Sequence, residues 1–333
     1  MNHLEPTSDH ASTPVDSPVP GPGVIALAVY RPDLTLLERQ LQSLQAQELT
    51  NWTCVIGIDG FDEETFSAVR RLTGDDERFH VEAFADNVGF YRNFERLLER
   101  VDQGVAWVAL ADQDDVWDPA KLRTLVECMD GQSASLAVCQ ARIVDAAGEI
   151  IGRTDRQHVS LATLILDNQV TGSLAVLDPA VLAVALPFPR PEPSSYHDHW
   201  LGVVASALNG FVVVDEVLQS YVQHGGNVIG EERGSALRAR LTRLLEGGPS
   251  AAVNRLATQR WGWRQRLAQE IGRRVPSALE DPAIRAIATG GMSRALAKEL
   301  AAAARAGTVG HLRLVGLGVG ATLSKTSRPR NQD

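Results

Sequence analysis

The chain of 333 residues is poor in cysteine, with only Cys54, Cys128 and Cys139 and no Cys-x-x-Cys spacing among them. That scarcity excludes a disulfide framework and a cysteine zinc cluster, and it fits reduced thiols inside a cell. Aromatics make up 5% of the residues, and no stretch reaches the ~18 consecutive apolar residues of a bilayer-spanning helix. The first 23 residues have neither a basic start nor an apolar run, so a secretory signal is not expected there. Rich in Pro, Ser, Thr and Asp, they read as a disordered leader, and the expected location is cytoplasmic. Positive charge is scarce over residues 1–230, with 14 Lys and Arg against 33 Asp and Glu, so a nucleic-acid partner is not expected. The balance reverses over residues 231–333, with 18 against 8. There Arg238, Arg240, Arg243, Arg264 and Arg266 either meet an anionic membrane surface, making the protein peripheral on the inner face, or pair with the acidic part.

What remains is the composition of a globular protein, 44% hydrophobic and 22% charged. Apolar runs at 24–29, 54–58, 80–84 and 106–111 alternate with helically spaced stretches at 34–47, 63–72 and 90–101. This alternation predicts an α/β fold, a mostly parallel sheet flanked by helices with ligands at the carboxyl ends of its strands. From Ser135 to about Val228 the pattern continues less regularly, with apolar runs at 136–138, 174–177 and 212–214. Residues 231–333 read as a basic, mostly helical appendage.

The densest chemistry is Asp112-Gln113-Asp114-Asp115-Val116-Trp117, three carboxylates within four residues directly after a buried strand. Carboxylates this close repel unless a cation neutralises them, and an oxygen-rich set suits Mn²⁺ or Mg²⁺. A solvated turn capping the next helix is an equal alternative on spacing alone. Asp59-Gly60 and Asn87-Val88-Gly89 end the second and third strands, either as plain turns or as contributors to the same sheet edge. His197-Asp198-His199-Trp200 holds a carboxylate that is either a general base or the N-cap of the helix that follows. His224, in Gln223-His224-Gly225-Gly226-Asn227, is a possible metal ligand.

Taken in order, Tyr30-Arg31-Pro32-Asp33, Asp59-Gly60, Asn87-x-Gly89, Asp112-Gln113-Asp114-Asp115-Val116-Trp117, Thr171-Gly172, His197-Asp198-x-Trp200 and Tyr221-x-Gln223-His224-Gly225-x-Asn227 resemble the family 2 glycosyltransferases of the GT-A fold. Within them the rhamnosyltransferase-like bacterial branch is most similar. The resemblance spans about residues 24–230 and implies a nucleotide-sugar half, 24–134, and an acceptor half, 135–230. It implies an inverting transfer from a nucleotide-sugar, either dTDP-rhamnose or a UDP-sugar, to a hydroxyl of a glycan or lipid-linked acceptor in cell-surface polysaccharide synthesis. Asp198 would be the base. Asp112 and Asp114 would form the DxD motif holding Mn²⁺ or Mg²⁺ with His224. Tyr30, Asp59, Asn87, Gly89, Asp112, Gln113, Trp117 and Gly172 would line the donor, and His197 and Trp200 the acceptor. The chain departs from the family pattern at Ile58, Phe61, Arg31 and Val222, and on Ile58, Phe61 and Val222 rests the alternative of a non-catalytic nucleotide-binding or scaffold protein on the same fold. A dehydrogenase is excluded because no Gly-x-Gly-x-x-Gly follows the first strand.

Overall fold

In the computed structural model, residues 21–102, 104–145, 148–191, 195–223, 261–307 and 311–324 are described. Four apolar runs become the parallel strands β1 (Gly23–Val29), β2 (Trp52–Ile58), β3 (Phe79–Ala83) and β4 (Trp107–Asp112). Between them lie α1 (Leu34–Gln45), α2 (Glu63–Thr73) and α3 (Gly89–Leu98). Asp33 and Asp62 start the first two helices, their carboxylates accepting from first-turn amides as N-caps do. Parallel strands covered on both faces need continuous apolar runs, and Ile25, Leu27, Ile56 and Leu110 are almost wholly enclosed.

The sequence pattern does not reveal β5 (Val116–Trp117), a two-residue strand inside the acidic motif, or β7 (Ile150–Arg153). After α4 (Lys121–Gly131) come β6 (Leu136–Val144), α5 (Leu161–Leu166), a 3-10 turn at Gly172–Leu174, β8 (Ala175–Leu177), α6 (Ala180–Ala185), α7 (His197–Ala207) and β9 (Phe211–Val222). Among the described residues these strands form one sheet in the order β3-β2-β1-β4-β8-β6-β9-β5, with β7 paired to β6. Strands β1 to β4 are parallel neighbours, whereas β8 runs antiparallel to both β4 and β6. The sheet is therefore parallel in its first half and mixed in its second.

The register aligns the carboxyl ends of the parallel strands. Ala28 of β1 faces Gly57 on one side and Asp112 on the other, so the residues just beyond Val29, Ile58 and Ala111 emerge along one edge. Beyond β9 the described chain resumes in α8 (Trp261–Arg274), α9 (Pro282–Thr289), α10 (Arg294–Ala306) and α11 (His311–Ser324). Trp261, Trp263, Leu267, Ile271, Ile284 and Leu296 belong to the same buried cluster as the sheet. Arg274 donates to the carbonyls of Val184, Ala185 and Pro187, and Arg264 to that of Leu166. Arg264 thus ties α8 to the end of α5, while Arg238, Arg240 and Arg243 lie outside the described residues. Among the described residues no helix is long and apolar enough to cross a membrane.

Candidate active site

The edge is built from internal clamps. Gln113, just beyond β4, accepts from the Tyr30 amide at 2.8 Å and donates to the Tyr30 carbonyl at 3.1 Å, locking the ends of β1 and β4 together. Tyr30 itself stands 45% exposed at the rim. Asp59 is 3% exposed. Its carboxylate accepts from the Val88 and Gly89 amides, both at 2.8 Å, and from Arg96 Nη2 at 2.7 Å. The residue expected to contact a base or ribose is thereby occupied inside the fold, where it ties the Asn87–Gly89 turn to β2. Asn87 is exposed beside it and accepts from the Gly89 amide at 3.2 Å. Gly89 has φ +78, a left-handed conformation that suits glycine.

Below this rim lies a buried polar network around the acidic motif. Asp112 and Asp114 are half-buried and Asp115 is enclosed. Burial first, and then the charges of Asp114 and Asp198, raises the Asp112 carboxyl above its usual range. Burial raises Asp115 as well, with the charges of Asp112 and Asp114 adding to it. Hydrogen bonding from the Ser173 hydroxyl opposes the shift at each of the two carboxylates. Gln219 Nε2 donates to Asp115 Oδ2 at 2.6 Å, and Lys121 Nζ donates to Gln219 Oε1 at 2.7 Å and to the Ser173 carbonyl at 2.5 Å. Lys121 is fully enclosed, its ammonium 3.3 Å from the centre of the Trp117 ring, and burial lowers its pKa. Trp117 is 3% exposed, so it forms the floor of this network and does not line a donor. Sequence reasoning missed Lys121, Ser173 and Gln219: pairing of β5 with β9 brings Gln219 opposite Trp117, a contact no local pattern encodes.

Asp198 is the second residue of α7, inside the first turn, and Tyr196 holds the cap position. The N-cap alternative is therefore incorrect. Its Oδ1 accepts from Asn168 Nδ2 at 3.0 Å and from the His199 amide at 2.6 Å, and its Oδ2 from the Gly172 amide at 3.3 Å. Burial pushes its pKa up to about 6, against these hydrogen bonds and the charge of Arg156. Its charge also acts on Asp112, so the two carboxylates share one electrostatic environment. Gly172 leaves room for this: a Cβ there would come within 2.8 Å of His197 Nε2.

The two residues assigned to an acceptor are placed otherwise. Trp200 is fully buried, donating to the Ala185 carbonyl at 2.9 Å with Arg274 over its ring. His197 is stacked on Phe94 at 3.9 Å between ring centres, and burial lowers its pKa to about 3. Both are interior groups because residues three apart share one face of a helix, and the first two turns of α7 are buried throughout. Phe90 and Tyr196, stacked at 5.9 Å and partly exposed, are the aromatics nearer the surface there.

For a hard cation, the structure offers carboxylates whose pKa values are raised first by burial and then by one another's charge, and Asp115 Oδ1 is buried without a partner. Oxygen donors of this kind fit Mg²⁺ or Mn²⁺. No group of three or more His, Cys, Asp or Glu converges on one point among the described residues. His224 lies outside them.

Residues 25–179 match the family described as glycosyl transferase family 2. Residues 1–349 of S. aureus TarS in complex with UDP-GlcNAc superpose with a TM-score of 0.53 at 13% identity, covering 93% of each chain. A longer TarS chain gives 0.51 at 13% identity, over 80% of this chain and 53% of that one. At such identity the likeness is one of fold. The uncharacterized protein y4gI of Sinorhizobium fredii is 30% identical over 107 residues, which is 32% of this chain and only 12% of that protein's length. The parallel strand edge and the acidic motif at the end of β4 both lie within residues 25–179, the part that matches glycosyl transferase family 2, and the chain has the α/β fold of the GT-A glycosyltransferases.

Proposed function

We propose that the enzyme transfers a sugar from a nucleotide-sugar to a hydroxyl of a glycan or lipid-linked acceptor, with inversion at the anomeric carbon and Asp198 as general base. The observation that carries this reading is the Asp198 carboxylate itself: buried, aimed by three internal donors, adjacent to the Asp112 charge, and raised to about 6. A base near that value is ionised at neutral pH yet basic enough to take a proton from an attacking hydroxyl. As the acceptor oxygen bonds to the anomeric carbon, the bond to the diphosphate oxygen breaks and its electron pair leaves with the nucleoside diphosphate. One carboxylate acting as base suffices for this direct displacement, with no covalent intermediate.

Asp112 and Asp114 are the residues that would hold a divalent cation, with His224 as a further ligand from the segment after β9. When bound, such a cation neutralises charge on the leaving diphosphate. Gln113 and the Asp59-ordered turn fix the strand edge at which the nucleotide would sit. A UDP-sugar is the favoured donor, since TarS residues 1–349 are in complex with UDP-GlcNAc; dTDP-rhamnose is the second. A role in cell-surface polysaccharide synthesis is proposed with it. The test is release of nucleoside diphosphate from UDP-GlcNAc, UDP-glucose, UDP-galactose and dTDP-rhamnose with Mn²⁺ present. Turnover of any donor that is lost in Asp114→Ala supports the reading, and equal turnover in that variant contradicts it.

A further inference from the structure

We propose that Trp263, on the C-terminal helix α8, is a positioning residue for the transfer reaction, acting through His199 to fix the orientation of the Asp198 carboxylate. The inference rests on Asp198 being the base. His199 is 1% exposed and its ring bridges two elements. Its Nε2 lies 2.7 Å from the Leu164 carbonyl of α5, and its Nδ1 3.2 Å from Trp263 Nε1. A carbonyl only accepts and an indole N–H only donates, so Nε2 carries the ring proton and Nδ1 is bare. The geometry thus holds the ring neutral and in one tautomer, between partners from two different helices.

The backbone of the same residue donates to Asp198 Oδ1 at 2.6 Å, the shortest of the three bonds that aim the carboxylate. Anchoring the His199 ring therefore fixes the peptide that orients the base. A parallel brace reaches the opposite donor. Arg264, next to Trp263, donates to the Leu166 carbonyl at 3.2 Å, and Asn168 two residues on donates to Asp198 at 3.0 Å. Glu299 of α10 accepts from Ser160 and Thr163 at the start of α5. Trp263 is itself fully buried, edge-on to Tyr91 at 6.1 Å. The two walls that grip Asp198, α5 with its following loop and the first turn of α7, are thus both tied on their far sides to helices beyond residue 260. None of those helices carries a residue of the acidic motif, so their contribution to catalysis is indirect.

The test uses the full chain and the donor that turns over fastest among UDP-GlcNAc, UDP-glucose, UDP-galactose and dTDP-rhamnose, read as nucleoside diphosphate release. Trp263→Phe keeps most of the ring and deletes the N–H; benzothienylalanine at position 263 keeps the bicyclic shape and deletes only the donor, which covers the case in which Phe does not fold. Either change is expected to lower kcat about tenfold while the donor KM stays within about twofold, because a small misorientation of a catalytic group affects the reaction and not the binding of the donor. In a histidine-labelled chain, ¹⁵N spectra should show His199 as the Nε2–H tautomer. Wild-type kcat in a folded variant, a raised KM at unchanged kcat, or an Nδ1–H tautomer would each overturn the proposal. Asp198→Asn measured alongside separates the two levels: an inactive Asp198→Asn with a fully active Trp263 variant removes only the positioning role, whereas an active Asp198→Asn removes the base itself.

Discussion

Asp198 sets the pH behaviour. A general base must be ionised, so kcat/KM is expected to fall as pH drops through about 6, the value to which burial brings this carboxyl. Replacing it with Asn should cost roughly 10²-fold or more in kcat and abolish that acidic limb; a pH profile with the same limb in the variant would assign it to another group. Its effect on stability has the opposite sense. With a folded pKa above the ordinary carboxylate value, Asp198 binds its proton more tightly folded than unfolded, so its stabilising contribution is present in acid and lost as pH rises through about 6. His197, held neutral with its pKa lowered from 6.5 to about 3, favours the fold above 6.5 and loses that contribution as pH falls toward 3. Lys121 is the other residue with a sharp expectation. Its ammonium is enclosed and satisfied by the Ser173 carbonyl, the Gln219 amide and the Trp117 ring face. Lys121→Met leaves the Ser173 carbonyl and Gln219 Oε1 without their donor and removes the positive charge that offsets Asp115, and should destabilise by about 3 kcal/mol or more in urea unfolding; a neutral or stabilising change would show that the ammonium is not needed there. The sequence showed the three aspartates because they are adjacent in the chain, whereas Gln219 is 104 residues from Asp115 and meets it only through strand pairing.

At the scale of elements, the parallel strands and their helices were legible because buried strands read as apolar runs and α1 to α3 show helical spacing. Short pieces were not: β5 has two residues, too few for any periodicity, yet it closes the acidic turn against β9. Helix α7 explains why Trp200 was misplaced by its motif. Two residues along a helix is about 200° around its axis, so Trp200 points to the core side while Asp198 meets the loop of Asn168 and Gly172. That loop carries a prediction of its own. Gly172→Ala would set a methyl 2.8 Å from His197 Nε2, and the His197 ring cannot easily yield because it is stacked on Phe94. The expected result is a drop in kcat of about tenfold or more from displacement of the Asp198 turn; unchanged kinetics would show that the turn tolerates the shift.

For the whole molecule, charge asymmetry suggested a body with a basic appendage, and the core shows how closely the two ends of the chain are joined. Trp261 and Trp263 are buried in the same cluster as the sheet, and fully burying a large apolar side chain contributes about 1.5–3 kcal/mol. A chain ending at Gly230 would expose the apolar faces of α5, α6 and α7 that α8 to α10 cover. It is expected to aggregate or to lose most of its thermal stability, and a truncated chain with the full-length Tm would refute the shared core. Donor identity was not legible at this scale or any other, because it depends on the shape of a pocket assembled from several strand ends and not on any local motif.

The central claim, that a nucleotide-sugar is split at the edge formed by Asp112, Asp114 and Asp198, is tested most directly by nucleoside diphosphate release from the four donors with Mn²⁺, run in parallel on the wild-type chain and on Asp198→Asn. The account predicts turnover in the wild type and a loss of about 10²-fold or more in the variant, with binding of the nucleoside diphosphate retained in both by calorimetry. Equal turnover in the two chains, or no binding of any nucleoside diphosphate by the wild type, would contradict it.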